Sequence, residues 1–155
     1  MQDRKHGKPP YTIVVLHGGP GSAGGMGYVA QELGKSHGLL EPMQRARTVP
    51  GQVNELHEAI LTNTDCPITL IGWSWGAWLS WWYAAQHPEQ VKRLILVSSG
   101  PFEAHYTTSM NETRFSRLTA EENAEIQDLM SKFNDPELKD KDALFSRFGE
   151  LFGKA

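Results

Sequence analysis

The chain has 155 residues and a net charge of −3, enough length for one domain and no electrostatic case for nucleic acid or an anionic membrane. Its single cysteine, Cys66, excludes an internal disulfide and suits a reducing compartment. No run reaches the ~18 apolar residues of a membrane span, and Met1 to Pro10 lacks an apolar signal core, so a soluble cytoplasmic protein is expected.

Tyr11 to Leu16 is short, continuously apolar and preceded by Pro10. That composition fits a strand buried on both faces of a parallel sheet. It runs into His17-Gly18-Gly19-Pro20-Gly21, a loop rich in residues that let backbone amides approach a ligand. A weakly patterned helix is expected over Gly27 to Leu33, ending near Gly34. Gly38 to Glu41 reads as a brief strand stopped by Pro42. Gln52 to Leu61 places Val53, Leu56, Ile60 and Leu61 at helical spacing.

Ile68 to Ile71 is another strand, followed by Gly72-Trp73-Ser74-Trp75-Gly76 and a helical pattern to about His87. Gly-x-Ser-x-Gly between a strand and a helix is a nucleophile elbow. A serine in so sharp a turn is strained and exposes its hydroxyl. Glycines flank it because strand and helix pass close together there. The Trp75 amide opens the helix and points an N–H at any oxyanion forming beside Ser74. All five tryptophans fall between Trp73 and Trp82, and a helix apolar on every side is expected to be buried. Trp73 could in addition wall a pocket.

Pro88 ends that helix, and Val91 to Ser98 is a fourth strand. Beyond Gly100 the composition shifts: residues 101–155 hold eleven acidic and seven basic side chains. Residues 1–100 are therefore read as a sheet-bearing core and 101–155 as a helical segment. Thr119-Ala120-Glu121-Glu122 is a capping box. Behind it Ile126, Leu129, Met130 and Phe133 mark one helix face. Asp135-Pro136 starts a second helix with Leu144, Phe145, Phe148, Leu151 and Phe152 on one side. A two-helix hairpin joined by Asn134-Asp135-Pro136 is expected.

The loop His17-Gly18-Gly19-Pro20-Gly21 together with Gly72-Trp73-Ser74-Trp75-Gly76 resembles the prolyl iminopeptidase-like branch of the α/β-hydrolases. The family's usual Asp-Gln-Arg-Gly-x-Gly-x-Ser loop stands here as Glu41-Pro42-Met43-Gln44-Arg45-Ala46-Arg47-Thr48. The resemblance implies an α/β fold with a parallel sheet of about four strands flanked by helices. It also implies that the helices after residue 100 begin a cap over the active site. Ser74 would be the nucleophile, the N–H groups of Gly19 and Trp75 the oxyanion hole, and Gly18, Gly21, Gly72 and Gly76 the motif glycines. The substrate would be a small ester, an amide or a short peptide with a free N-terminus, taken without cofactor.

The same family places its acid and histidine after the cap, so the chain is expected to be truncated within it. Downstream of Ser74 the histidines are His87, which ends the helix, and His105, with Glu103 nearby as an acid. His105 and Glu103 are thus the candidate substitute base and acid, although neighbours only two residues apart rarely fit that geometry. His17 is read as a brace for the glycine loop, and no His, Cys, Asp or Glu set has metal-ligand spacing. Without further strands Val91–Ser98 would be a long apolar edge beside Ile68–Ile71, inviting self-association.

Two other functions fit parts of the sequence. Without base and acid the fold would be a catalytically inactive hydrolase. Alternatively Gly19-Pro20-Gly21-Ser22-Ala23-Gly24 matches a dinucleotide-binding loop, with Glu41 placed to bind ribose hydroxyls. Pro20 removes a donor from such a loop, and Gly24-Gly25 opens a helix poorly.

Overall fold

The computed structural model describes residues 2–19, 22–65, 67–133 and 142–155. These form two compact units, Met1–Phe102 and Glu103–Ala155. In the first, strands β1 (Arg4–His6), β2 (Tyr11–Leu16), β3 (Gly38–Glu41), β4 (Ile68–Trp73) and β5 (Val91–Val97) make one sheet. Its order is β1-β3-β2-β4-β5. The helices are α1 (Gly27–Gly34), α2 (Val49–Asn63) and α3 (Trp75–Gln86), with a 3-10 turn at Pro88–Gln90.

The apolar run of β2 is accounted for by burial on both faces. Val14 and Leu16 pack with Leu40, Leu70 and the α2 and α3 residues Val53, Leu56, Ile60, Leu79 and Tyr83. Val15, which points the other way, meets Met26, Ala30 and Leu39 on the α1 side. Strands β3, β2, β4 and β5 are parallel, in register from Ile13 opposite Thr69 to Leu16 opposite Gly72. Their C-terminal ends therefore share one rim, where β2 and β4 deliver their loops.

The expected parallel strands are all present, and the one correction to their number is β1, which pairs antiparallel with β3, Arg4 opposite Glu41. Three polar residues carry no strand signal of their own; the ladder and the bond from His6 Nε2 to Glu41 Oε2 (2.9 Å) hold them. Helix α2 begins earlier than its apolar spacing suggests. Thr48 caps it by accepting the Gly51 N–H (3.2 Å), and Pro50 occupies the first turn, where a missing donor costs nothing.

A second correction concerns α3. Its buried residues are Gly76, Ala77, Leu79, Ser80 and Tyr83, whereas Trp81 is 45% exposed and Trp73, just before it, 40%. Phe102 stacks on Trp78 (5.3 Å between centroids) and leans on Trp81 (5.4 Å), so the tryptophans shield one another at the surface. Strand β5 lies at the sheet edge among the described residues, with Ile95, Leu96 and Val97 exposed.

The loop between β3 and α2 is clamped by Glu55. Its carboxylate accepts the N–H groups of Arg45 (2.8 Å) and Ala46 (3.0 Å) and pairs with the Arg45 guanidinium (3.1 Å). Burial pushes this carboxyl up, but the Ala46 and Arg45 amides and then the guanidinium hold it below its ordinary value. A depressed carboxylate stabilises the fold above its unfolded pKa and loses that contribution as pH falls through the folded value. Glu55→Gln is therefore expected to cost about 1–2 kcal/mol in urea unfolding at pH 7. The difference should vanish once the wild-type carboxyl is protonated.

Among the described residues the second unit contains three helices, α4 (His105–Phe115), α5 (Ala120–Phe133) and α6 (Asp142–Phe152). Leu118, Ile126, Leu129 and Leu151 form its core, flanked by Phe115, Leu144, Phe148 and Phe152. The capping box is present: Thr119 N–H donates to Glu122 Oε2 (3.0 Å) and Glu122 N–H to Thr119 Oγ1 (3.2 Å). The two expected helices are α5 and α6, and α4 precedes them as a helix that the sequence did not announce. None of its residues is buried, so it has no apolar stripe by which periodicity could reveal it. The joint Asn134-Asp135-Pro136 lies outside the described residues.

Candidate active site

Ser74 stands between the last residue of β4 and the first of α3, with φ 53° and ψ −115°. A positive φ is rare for a residue with a Cβ, and strain of this kind persists only where the surroundings impose it. Here they do. The Ser74 N–H donates to the Val97 carbonyl (2.9 Å), fixing the turn to the end of β5. A Cβ on Gly76 would lie 2.5 Å from the Leu16 carbonyl oxygen and 2.6 Å from that of His17. One on Gly72 would overlap the Gly76 carbonyl oxygen and the Ser80 hydroxyl. The two glycines allow α3 to start directly against β2 and β4, and the chain has to reverse sharply at Ser74.

The glycine loop follows β2 on the same rim. A Cβ on Gly18 would lie 3.1 Å from Ser74 Cβ and 2.7 Å from Trp73 Cε3, so this loop abuts the serine. Gly19 has φ +51°, a conformation glycine adopts freely. Gly21 and Pro20 lie outside the described residues. His17 is fully buried, and its Nδ1–H donates to the Gly18 carbonyl (3.0 Å), since a carbonyl can only accept. Its Nε2 is buried without a partner among the described residues.

Trp75 begins α3, so its N–H has no helical carbonyl one turn earlier to bond. Its indole N–H donates to Gln52 Oε1 (2.8 Å), and Gln52 Nε2 donates to the Ala46 carbonyl (2.9 Å). Sequence reasoning missed Gln52, which is 6% exposed; a glutamine near the start of a helix reads as solvent-facing. Among the described residues nothing hydrogen-bonds to the Ser74 hydroxyl. Glu103 and His105 belong to the second unit, where Glu103 Oε2 lies 3.4 Å from His105 Nδ1 and both side chains are well exposed. His87 caps α3 through its N–H to the Tyr83 carbonyl (2.8 Å) and stacks on His57 at 4.0 Å.

The dinucleotide reading finds its acid occupied. Glu41 is fully buried, bonded to His6 and 3.9 Å from Arg4. No group of three or more His, Cys, Asp or Glu side chains is placed to hold a metal among the described residues. Among the same residues no helix is long and apolar enough to cross a membrane.

A mostly parallel sheet with helices on both faces defines an α/β fold, and at its C-terminal rim a serine stands on a strained strand-to-helix turn. The family described as alpha/beta hydrolase fold matches residues 34–132. The chain belongs to that family.

Solved structures agree on the fold. An epoxide hydrolase from Bacillus megaterium, in complex with an inhibitor, matches 97% of this chain and 55% of its own at 18% identity, TM-score 0.64. A marine microorganism esterase matches 97% of this chain and 57% of its own at 21% identity, TM-score 0.61. The thioesterase domain from the curacin biosynthetic pathway matches 73% of this chain and 48% of its own at 20% identity, TM-score 0.57. The chain thus spans about half the length of these structures. Comparison with curated proteins returns no match.

Proposed function

We propose that this chain carries the nucleophile half of a serine hydrolase of the prolyl iminopeptidase-like branch. Ser74 attacks the carbonyl carbon of a small ester, an amide or a peptide with a free N-terminus. The carbonyl π bond opens onto oxygen, and the N–H groups of Gly19 and Trp75 receive that oxyanion. The leaving group departs with a proton, and water then releases the acyl group from Ser74. The observation that carries this reading is the φ of 53° at Ser74 between two glycines that have no room for a Cβ.

A base must take the hydroxyl proton, and an acid must orient that base. No described residue bonds to the Ser74 hydroxyl. We infer that the described residues do not supply the base and acid, and that His105 with Glu103 is not the working pair. That no described residue bonds to the Ser74 hydroxyl equally favours an inactive, ligand-binding hydrolase fold as the second reading. Fluorophosphonate labelling of the chain and of Ser74→Ala separates them: modification confined to Ser74, however slow, supports the hydrolase.

The exposed edge of β5 leads to a proposal about assembly. Unpaired strand groups flanked by Ile95, Leu96 and Val97 invite pairing with a second copy. Light scattering is expected to find oligomers or aggregates of the 155-residue protein; a stable monodisperse monomer would contradict this.

A further inference from the structure

Trp73 has no role in the reaction just described, yet it is the side chain next to Ser74 and is 40% exposed. Its place follows from strand alternation. Gly72 faces α3, whose Gly76 carbonyl and Ser80 hydroxyl fill the space a Cβ would need. Trp73 therefore points to the opposite face, the one on which Ile71 packs against the α1-side core. At the rim of that face its six-membered ring lies over Gly18, with Cε3 and Cζ3 2.7 and 2.8 Å from where a Gly18 Cβ would be. The same point is 3.1 Å from Ser74 Cβ. Gly18 thus seats an indole ring and the serine side by side, and much of the ring remains open to solvent.

We propose that Trp73 is a specificity-determining platform that stacks a flat aromatic group of the substrate, next to the carbon that Ser74 attacks. This rests on the reading of Ser74 as nucleophile and adds the substrate class: esters or amides with an aryl or arylmethyl group. An aliphatic group of equal size would gain burial but not the offset stacking that aromatic pairs provide.

The test is an NMR titration of the 155-residue protein with phenylacetamide and, separately, cyclohexylacetamide, which share the amide and differ in the ring. The indole N–H resonance missing from Trp73→Leu identifies Trp73. Phenylacetamide is expected to move that resonance and to bind more tightly than cyclohexylacetamide. Trp73→Leu should weaken phenylacetamide roughly 5–10-fold while leaving cyclohexylacetamide nearly unchanged, and Trp73→Phe should restore most of the loss. Ser74→Ala should keep the preference, because stacking needs no acylation. Equal binding of the two amides, an unmoved Trp73 resonance, or an unchanged affinity in Trp73→Leu would overturn the proposal. An aromatic preference in a protein whose Ser74 never reacts would sink the acyl-enzyme reading and leave the platform standing.

Discussion

Gly76→Ala is expected to destabilise the protein by at least about 3 kcal/mol, although alanine is the better helix former by about 1 kcal/mol. Helix propensity and packing disagree in sign here, which makes the result informative. The added methyl would meet the Leu16 and His17 carbonyl oxygens at 2.5 and 2.6 Å. Both are backbone atoms at the end of a central strand, so no flexible side chain can give way. Either α3 tilts off β2, opening the core around Leu16 and Leu79, or the strand end moves and takes the glycine loop with it. Against a total folding stability of about 5–15 kcal/mol, such a loss leaves a marginal protein. Gly149 supplies the control. It lies in α6, where an added Cβ would have nothing within 4 Å, so Gly149→Ala should gain about 0.5–1 kcal/mol. Urea unfolding of the two variants measures both. A Gly76→Ala protein as stable as wild type would mean that α3 does not press on β2, and the elbow would lose its physical basis.

How far the site could be read beforehand depends on where its constraints are written. Ser74, Gly72 and Gly76 were legible because a strained turn with close backbone approach tolerates few residue types, and those types are sparse enough to notice. Strands β2 and β4 were legible for a related reason, since burial on both faces demands continuous apolar runs. Strand β1 was not, because Arg4, Lys5 and His6 owe their conformation to the ladder with β3 rather than to their own preferences. Helix α4 was missed because it buries none of its residues and so shows no stripe. The tryptophans misled in a different way. An all-round apolar helix reads as buried, but Trp78, Trp81 and Phe102 satisfy one another in a surface stack. Gln52 bonds the Trp75 indole across a sequence separation of 23, a contact that only the packing of α2 against α3 creates.

The chain as it stands is expected to be a very weak esterase. Where no base reaches it, the Ser74 hydroxyl keeps its proton and is a poor nucleophile. In serine hydrolases stripped of triad members, the oxyanion hole and binding alone leave ~10³–10⁴-fold catalysis over water. Hydrolysis of p-nitrophenyl acetate should not exceed that range. Because that remainder does not need the serine hydroxyl, Ser74→Ala, His105→Ala and Glu103→Gln should each change it little. A large loss in His105→Ala would make His105 the base and bring the whole triad within these residues.

The most direct measurement is fluorophosphonate labelling of the 155-residue protein, read by peptide mass spectrometry beside Ser74→Ala. Such a probe reports nucleophilicity at one atom and needs no knowledge of the natural substrate. The expected result is slow, substoichiometric modification confined to Ser74 and absent from Ser74→Ala. Rapid, stoichiometric labelling of Ser74 would contradict the inference that the described residues do not supply the base and acid. Equal labelling of Ser74→Ala would contradict the assignment of Ser74 itself.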